Sequence, residues 1–294
     1  MELIDKTFGV FLDPQQRVFW PGLLIATALA WLAGGQLRKL LAPSIWLHRS
    51  ARLDYALLFA NAALKILLLA PLGLSAYGVA VALVRALDAA FGVPQMQLPD
   101  AVVTAIYTVT LFVAWDLSRY LLHRLLHSVP ALFAIHKVHH SAEVLTPMTL
   151  FRVHPIESAL FMARGILVTG VITGLFFYVF RARAIELQLL GVNAIGLLFN
   201  ALGSNLRHSH VWLSYGPKLE RLLISPAQHQ IHHGTERADQ ESNFGTWLAI
   251  WDGWAGSLRL ASELDRPSRF GLADADQNHD PHGLVSALWS PLSR

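Results

Sequence analysis

Five stretches of this chain carry almost no charge over the length needed to cross a bilayer. Val18 to Leu37 is uncharged and is closed by Arg38 and Lys39. Tyr55 to Val84 holds one charge, Lys65, and is broken by Pro71 and Gly73. Ala101 to Trp115 runs uncharged into Asp116, Ser158 to Phe180 carries only Arg164, and Leu187 to Leu206 is uncharged up to Arg207. A hydrocarbon core about 30 Å thick takes roughly 20 apolar residues in a helix, and inside it every backbone polar group must be satisfied within the segment. The expected fold is therefore all-α: a polytopic integral membrane protein with four to five transmembrane helices. Its second stretch is read as a crossing near 54–75, followed by a short helix or re-entrant piece to about Phe91. Charged residues make up only 15% of the 294, against roughly 25% in a soluble domain, so buried core helices of a soluble chain are the poorer reading. The start, MELIDKTF, lacks a cationic leader and is read as part of the mature chain.

Lys and Arg placement sets the orientation. Arg38, Lys39, Arg49 and Arg52 follow the first stretch, and Arg119, Arg124, Lys137, Arg152, Arg207, Lys218 and Arg221 accompany a histidine-rich region. Two crossings separate these groups, so both fall on the cytoplasmic side of a cytoplasmic or inner membrane; Arg181 and Arg183 oppose this weakly. The resulting organisation is N-terminal membrane helices over 1–100, a catalytic unit with a cytoplasmic histidine-rich helical cap over 101–260, and a polar, loose tail over 261–294. Net charge is +3 with no basic stripe, which gives no footing for nucleic acid. The absence of cysteine excludes disulfides, zinc ribbons, Cys-ligated iron–sulfur clusters and thiolate haem.

Eleven of the 14 histidines lie between His123 and His233. His123 and His127 stand in HRLLH, His136, His139 and His140 in HKVHH, His208 and His210 in RHSH, and His229, His232 and His233 in HQIHH, with His154 in FRVHP. On a helix, i and i+4 share one face about 6 Å apart, a spacing that aims two imidazoles at one site. Asp116, Tyr120, His123 and His127 follow one helical stripe, which places Asp116 and Tyr120 to orient a ligand through its other ring nitrogen. In H-x2-H-H the third ring is turned about 100° from the second, so each triplet can serve two adjacent ions. One such motif arises by chance; this set beside membrane segments points to metal, because unsatisfied imidazoles in such number would be costly to bury. His48 is assigned to the headgroups, His279 and His282 to the solvated tail. Glu143, Glu157, Glu220, Glu241 and Asp252 can offset metal charge but are each read first as surface charges.

About ten histidines exceed one zinc site and fit two ions. No HExxH is present, and two redox irons held by neutral nitrogen match the donor set best. A zinc-dependent membrane hydrolase or amidase would leave most of the cluster unused. A metal-handling or transport protein would place ionisable residues inside the spans, which are clean here.

From Trp115 to Gly256 the sequence resembles the fatty acid hydroxylase/sterol desaturase superfamily of membrane di-iron oxygenases. The resemblance is carried by WDLSRYLLHRLLH, HKVHHS, FRVHPIE, the RHSH step, SPAQHQIHH and SNFGTWLAIWD, in that order. It departs at WDGWAGS, where the family pattern ends in WDxxFGT. The implied ligands are His123, His127, His136, His139, His140, His208, His229, His232 and His233, with His154 ranked below them. His210 stands where the family has asparagine; spacing back from Gly216 favours His208 as the ligand. Asn243 is implied to support the ligands. The resemblance further implies a di-iron centre, O2 as co-substrate, hydroxylation or desaturation of a membrane lipid, and electrons from a separate donor of the ferredoxin or cytochrome b5-reductase type. Arg119, Arg124, Lys137 and Lys218 are the candidate surface for an acidic carrier. A sterol, an acyl chain, an ether lipid and an aminolipid headgroup all satisfy the substrate reading.

Overall fold

The computed structural model describes residues 8–9, 11–13, 18–32, 42–69, 73–94, 96–181, 203–272 and 280–293. Among these residues the fold is helical, and β structure is limited to two isolated bridges. The longer helices are α1 (Trp20–Leu32), α2 (Arg49–Leu64), α3 (Ala76–Phe91), α4 (Asp100–Ser128), α5 (Pro130–His140), α6 (Pro155–Phe180), α7 (Pro226–His232), α8 (Ile250–Ala255) and α9 (Leu284–Trp289). Single turns at Pro43–Trp46, Gly216–Leu219 and Arg237–Gln240 join them.

Among the described residues two helices, α4 and α6, are long and apolar enough to cross a membrane. Only 22% and 17% of their most apolar windows are buried, the reverse of a soluble core helix. Val109 on α4 and Leu167 on α6 are among the side chains left exposed, a surface suited to lipid. The shorter apolar helix, α1, matches the first expected crossing as far as Leu32. The second expected crossing divides as Pro71 and Gly73 suggest: α2 runs on into a π turn, Lys65–Leu69, and the chain restarts as α3. The short helix or re-entrant piece expected to about Phe91 corresponds to α3, sixteen residues packed along α6. Gly170 and Gly174 allow that approach, because a Cβ on Gly170 would sit 2.6 Å from Val79 Cβ and one on Gly174 3.1 Å from Ala80 Cα. Of the last expected crossing, 187–202 lies outside the described residues, and Ser204–Leu206 forms a 3-10 turn.

Proline sets the hairpin that carries the first histidines. Pro130 pushes Val129 into an extended conformation (φ −101°, ψ 117°), which ends α4 and opens α5 with Pro130 at its first position. At 29 residues, α4 is about 43 Å long, so its His-bearing end extends beyond a ~30 Å hydrocarbon layer. The tail is not loose throughout. Ala287 of α9 packs with Leu53, Leu57 and Val138, and buried Arg152 donates to Pro281 O at 2.9 Å. His282, expected in solvent, is instead 5% exposed and lies 3.1 Å from Arg152. His48 caps α2 by accepting from Ser50 N, and His279 falls outside the described residues.

Candidate metal centre

The two HxxHH triplets divide between two sites. His123 and His127 from α4, His136 and His140 from α5 and His232 from α7 converge as one group; His139, His208, His229 and His233 converge as a second. Within each group the ligating atoms lie within 4.8 Å of one another. The groups adjoin: the ring of His233 in the second lies 4.8 Å from that of His140 in the first. In α5 the i and i+4 positions serve the first group, and His139, turned away from them, serves the second. In α7 His232 serves the first group, while His229 and the helix-ending His233 serve the second. A reciprocal cap between Ser225 and Gln228 starts α7. Buried Glu220 holds that cap, accepting from Ser225 Oγ at 2.9 Å and from Ser262 N at 3.0 Å.

Backbone and carboxylate acceptors fix several of the tautomers. His123 Nδ1 donates to Phe244 O (2.8 Å), His232 Nδ1 to Ser242 O (2.7 Å), His139 Nδ1 to Arg152 O (3.1 Å) and His136 Nδ1 to Glu157 Oε1 (2.8 Å). A carbonyl or carboxylate can only accept, so each Nδ1 carries the proton and each Nε2 presents a lone pair. The Nε2 atoms of His123 and His232 lie 3.1 Å apart. Two lone pairs at that distance repel unless a cation lies between them. Two nitrogens about 2.1 Å from one ion and at right angles are about 3 Å apart. The Nε2 of His140 and His127 (3.1 Å) and those of His208 and His229 (3.0 Å) repeat the spacing. His136 Nε2 is buried with no hydrogen-bond partner. Burial holds the imidazoles neutral, pushing His136 down to about 3 and His139 to about 4. His140, His229, His232 and His233 are held well below the ordinary value by burial and then by neighbouring histidines. The donor set is thus all neutral nitrogen, which suits iron, copper, zinc or nickel.

Several expected positions take other roles. His154 joins neither group: its Nδ1 accepts from Ile156 N as the cap of α6, and its Nε2 lies 3.2 Å from Leu288 O. Of the RHSH pair, His208 enters the second group and His210 turns towards Arg266. Asp116 touches no imidazole. It accepts from Trp247 N, Leu248 N and Trp251 Nε1 at 2.9–3.1 Å, which anchors to α4 the segment whose Phe244 carbonyl holds His123. Tyr120 packs on Phe244 and Trp251 and receives a hydrogen bond from Arg124. Asn243 sits at φ 54°, a region asparagine tolerates; its side chain ties Gln228 O to Arg259 N. Asp116, Tyr120 and Asn243 thus brace the segments that carry the acceptors rather than the rings.

The acids correct the surface reading in three cases. Glu157 is 2% exposed and bonded to a candidate ligand. Glu220 is buried, and Asp252, also buried, accepts from Phe244 N, Gly245 N and Ser257 Oγ. Asp252 is pushed up to about 6 by burial, against which those donors work. Glu143 and Glu241 are at the surface. Arg119 leaves the proposed carrier surface and turns inward to Thr246 Oγ1 at 3.1 Å. Arg152, not expected at the site, is fully buried among Val138 O, Ser141 and Asp54, and its own carbonyl holds His139.

A fatty acid hydroxylase family model matches residues 108–257, the span that supplies every one of these ligands. The chain belongs to the fatty acid hydroxylase family. It is similar to alkylglycerol monooxygenase of Homo sapiens, 30% identical over 152 residues, covering 52% of this chain and 30% of that protein. The Danio rerio alkylglycerol monooxygenase matches to the same extent. Ornithine lipid hydroxylase OlsE of Rhizobium tropici is 28% identical over 201 residues, 67% of this chain and 53% of that protein. The chain thus spans a third to about half of these relatives' lengths. No solved structure matches.

Proposed function

We propose that this protein is an iron-dependent lipid hydroxylase that works at the cytoplasmic face of a membrane. The observation that carries the reading is the convergence of nine neutral imidazoles, in groups of five and four, where α4 and α6 emerge from their apolar spans. The first group would hold one iron and the second another; when bound, the irons supply the chemistry that reduces O2 and attacks an unactivated C–H bond. Four to five crossings, as the uncharged stretches of the sequence suggest, make up the proposed membrane part. Electrons come from a separate donor of the ferredoxin or cytochrome b5-reductase kind, since the chain lacks cysteine for a cluster of its own.

The chain's own residues do the holding. Phe244 O, Ser242 O, Arg152 O and Glu157 keep protons on Nδ1 and aim Nε2 inward, which fixes ring direction and raises ligand basicity. A cavity meets both groups from one side: His123 and His136 of the first and His139, His208 and His229 of the second line it. A C–H bond seated there faces both sites at once. Leu150, Val153 and Phe161, which also line it, are suited to exclude water and admit a lipid from between α4 and α6. Hydroxylation is favoured over desaturation by the names of the two kinds of relative.

The test is lipid mass spectrometry on membranes with and without the protein, supplied with isotopically labelled O2 and an electron donor. The expected product gains one labelled oxygen atom. Loss of two hydrogens would mean desaturation, and a product formed equally without O2 would mean hydrolysis and overturn the reading.

A further inference from the structure

The cavity beside the two histidine groups has a cationic wall that metal ligation does not use. Arg207 is 2% exposed and lines it. Its Nη2 reaches Ile224 O only at 3.4 Å, and its Nε is buried with no hydrogen-bond partner. Arg119, half-buried, lines the same cavity, with its Nε on Thr246 and its guanidinium 4.6 Å above the ring of Phe161. The space between them and the histidine floor is about 70 Å³, enough for several waters. The acids within reach are Glu157, which lines the cavity with Oε1 on His136 and Oε2 buried without a hydrogen-bond partner, and Asp116, committed to the 247–251 segment. Neutral imidazoles add no negative charge. A buried guanidinium with an unmet donor is costly, and a guanidinium fork matches the oxygens of carboxylate or phosphate.

We propose that this cavity receives the anionic oxygens of a lipid headgroup, a phosphate or carboxylate, with Arg207 binding them and Arg119 guarding the mouth. The substrate then enters polar end first, and the C–H bond presented to the histidine groups lies close to the headgroup rather than far along the chain. Leu150, Val153 and Phe161 give the same cavity apolar lining for the start of the tail, which points back towards the bilayer. This inference rests on the lipid-hydroxylase reading for its meaning, but its test needs neither O2 nor turnover.

The experiment measures binding of two short-chain probes to the purified, metal-loaded protein in nanodiscs under anaerobic conditions, by native mass spectrometry. Dihexanoyl phosphatidate and dihexanoylglycerol differ only in the phosphate. The phosphatidate is expected to bind at least about tenfold more tightly. Arg207→Gln should erase that preference while metal content and affinity for the neutral probe hold, and Arg207→Lys should restore part of it. Arg119→Gln should weaken the phosphatidate about threefold or more, and it decides the matter should Arg207→Gln fail to fold. Equal binding of the two probes by the native protein, or an unchanged preference in both Gln variants, would overturn the proposal. Inorganic phosphate binding as tightly as phosphatidate would overturn the lipid assignment in favour of a free anion. Turnover without an anion preference would remove this inference alone; the preference without turnover would remove only the hydroxylase reading.

Discussion

The two histidine groups are built from the same motifs but are held to different degrees. In the group of five, three rings have an acceptor on Nδ1: His123 on Phe244 O, His232 on Ser242 O and His136 on Glu157. In the group of four, His139 has Arg152 O, whereas Nδ1 of His229 and of His233, like that of His140 in the group of five, is buried without a partner. Acceptors behind the rings settle tautomer and direction before an ion arrives. The first group thus has more of its rings held, and it has a carboxylate, Glu157, against a ligand. Two sites of like composition can therefore differ in affinity through residues that never touch metal.

Removing a ligand from either group should have the largest effect. His232→Ala in the first and His139→Ala in the second are each expected to reduce product to background while the protein still inserts in the membrane; a hydroxylated lipid persisting in both would break the assignment. Next comes Asp54→Ala. It leaves Arg152 fully buried without its 3.1 Å carboxylate partner, at a cost of about 3–5 kcal/mol. Thermal unfolding should show the loss, and the ion of the four-histidine group should loosen first, because the carbonyl of Arg152 holds His139. Glu157→Gln tests the other side of the contrast. It keeps an acceptor but removes the charge, and should weaken metal affinity or activity about 10–100-fold, with the five-histidine ion affected more. The smallest effect separates the two groups in the native protein: a graded chelator titration should remove metal in two steps, the four-histidine ion first. A single step would show that the difference in support has no consequence for affinity.

The sequence carries much of this site in its local spacings. The i, i+4 pairs and the 100° turn within HxxHH follow from helix geometry alone, so the division of each triplet between two groups is foreseeable from Pro130–His140 and Pro226–His232. What local spacing does not carry is partnership across the fold. Glu157 is 21 residues from His136, and FRVHPIE offers one hint of its role, a carboxylate at the very start of an apolar helix. His154 precedes a proline and caps α6, a role its metal-like chemistry obscures. Asp116 stands on the ligand stripe, yet its three donors come from residues 131 to 135 positions away. The polar run DADQNHDPHG suggests a free tail, but the apolar residues beyond it, LVSALW, supply the face that docks on Leu53, Leu57 and Val138.

The central claim is that two irons occupy the paired groups, and metal analysis of the purified, catalytically active protein tests it most directly. Two irons per chain, falling to fewer than two in both His139→Ala and His232→Ala, is the predicted result. Active protein holding no iron, with a zinc pair in its place, would contradict it.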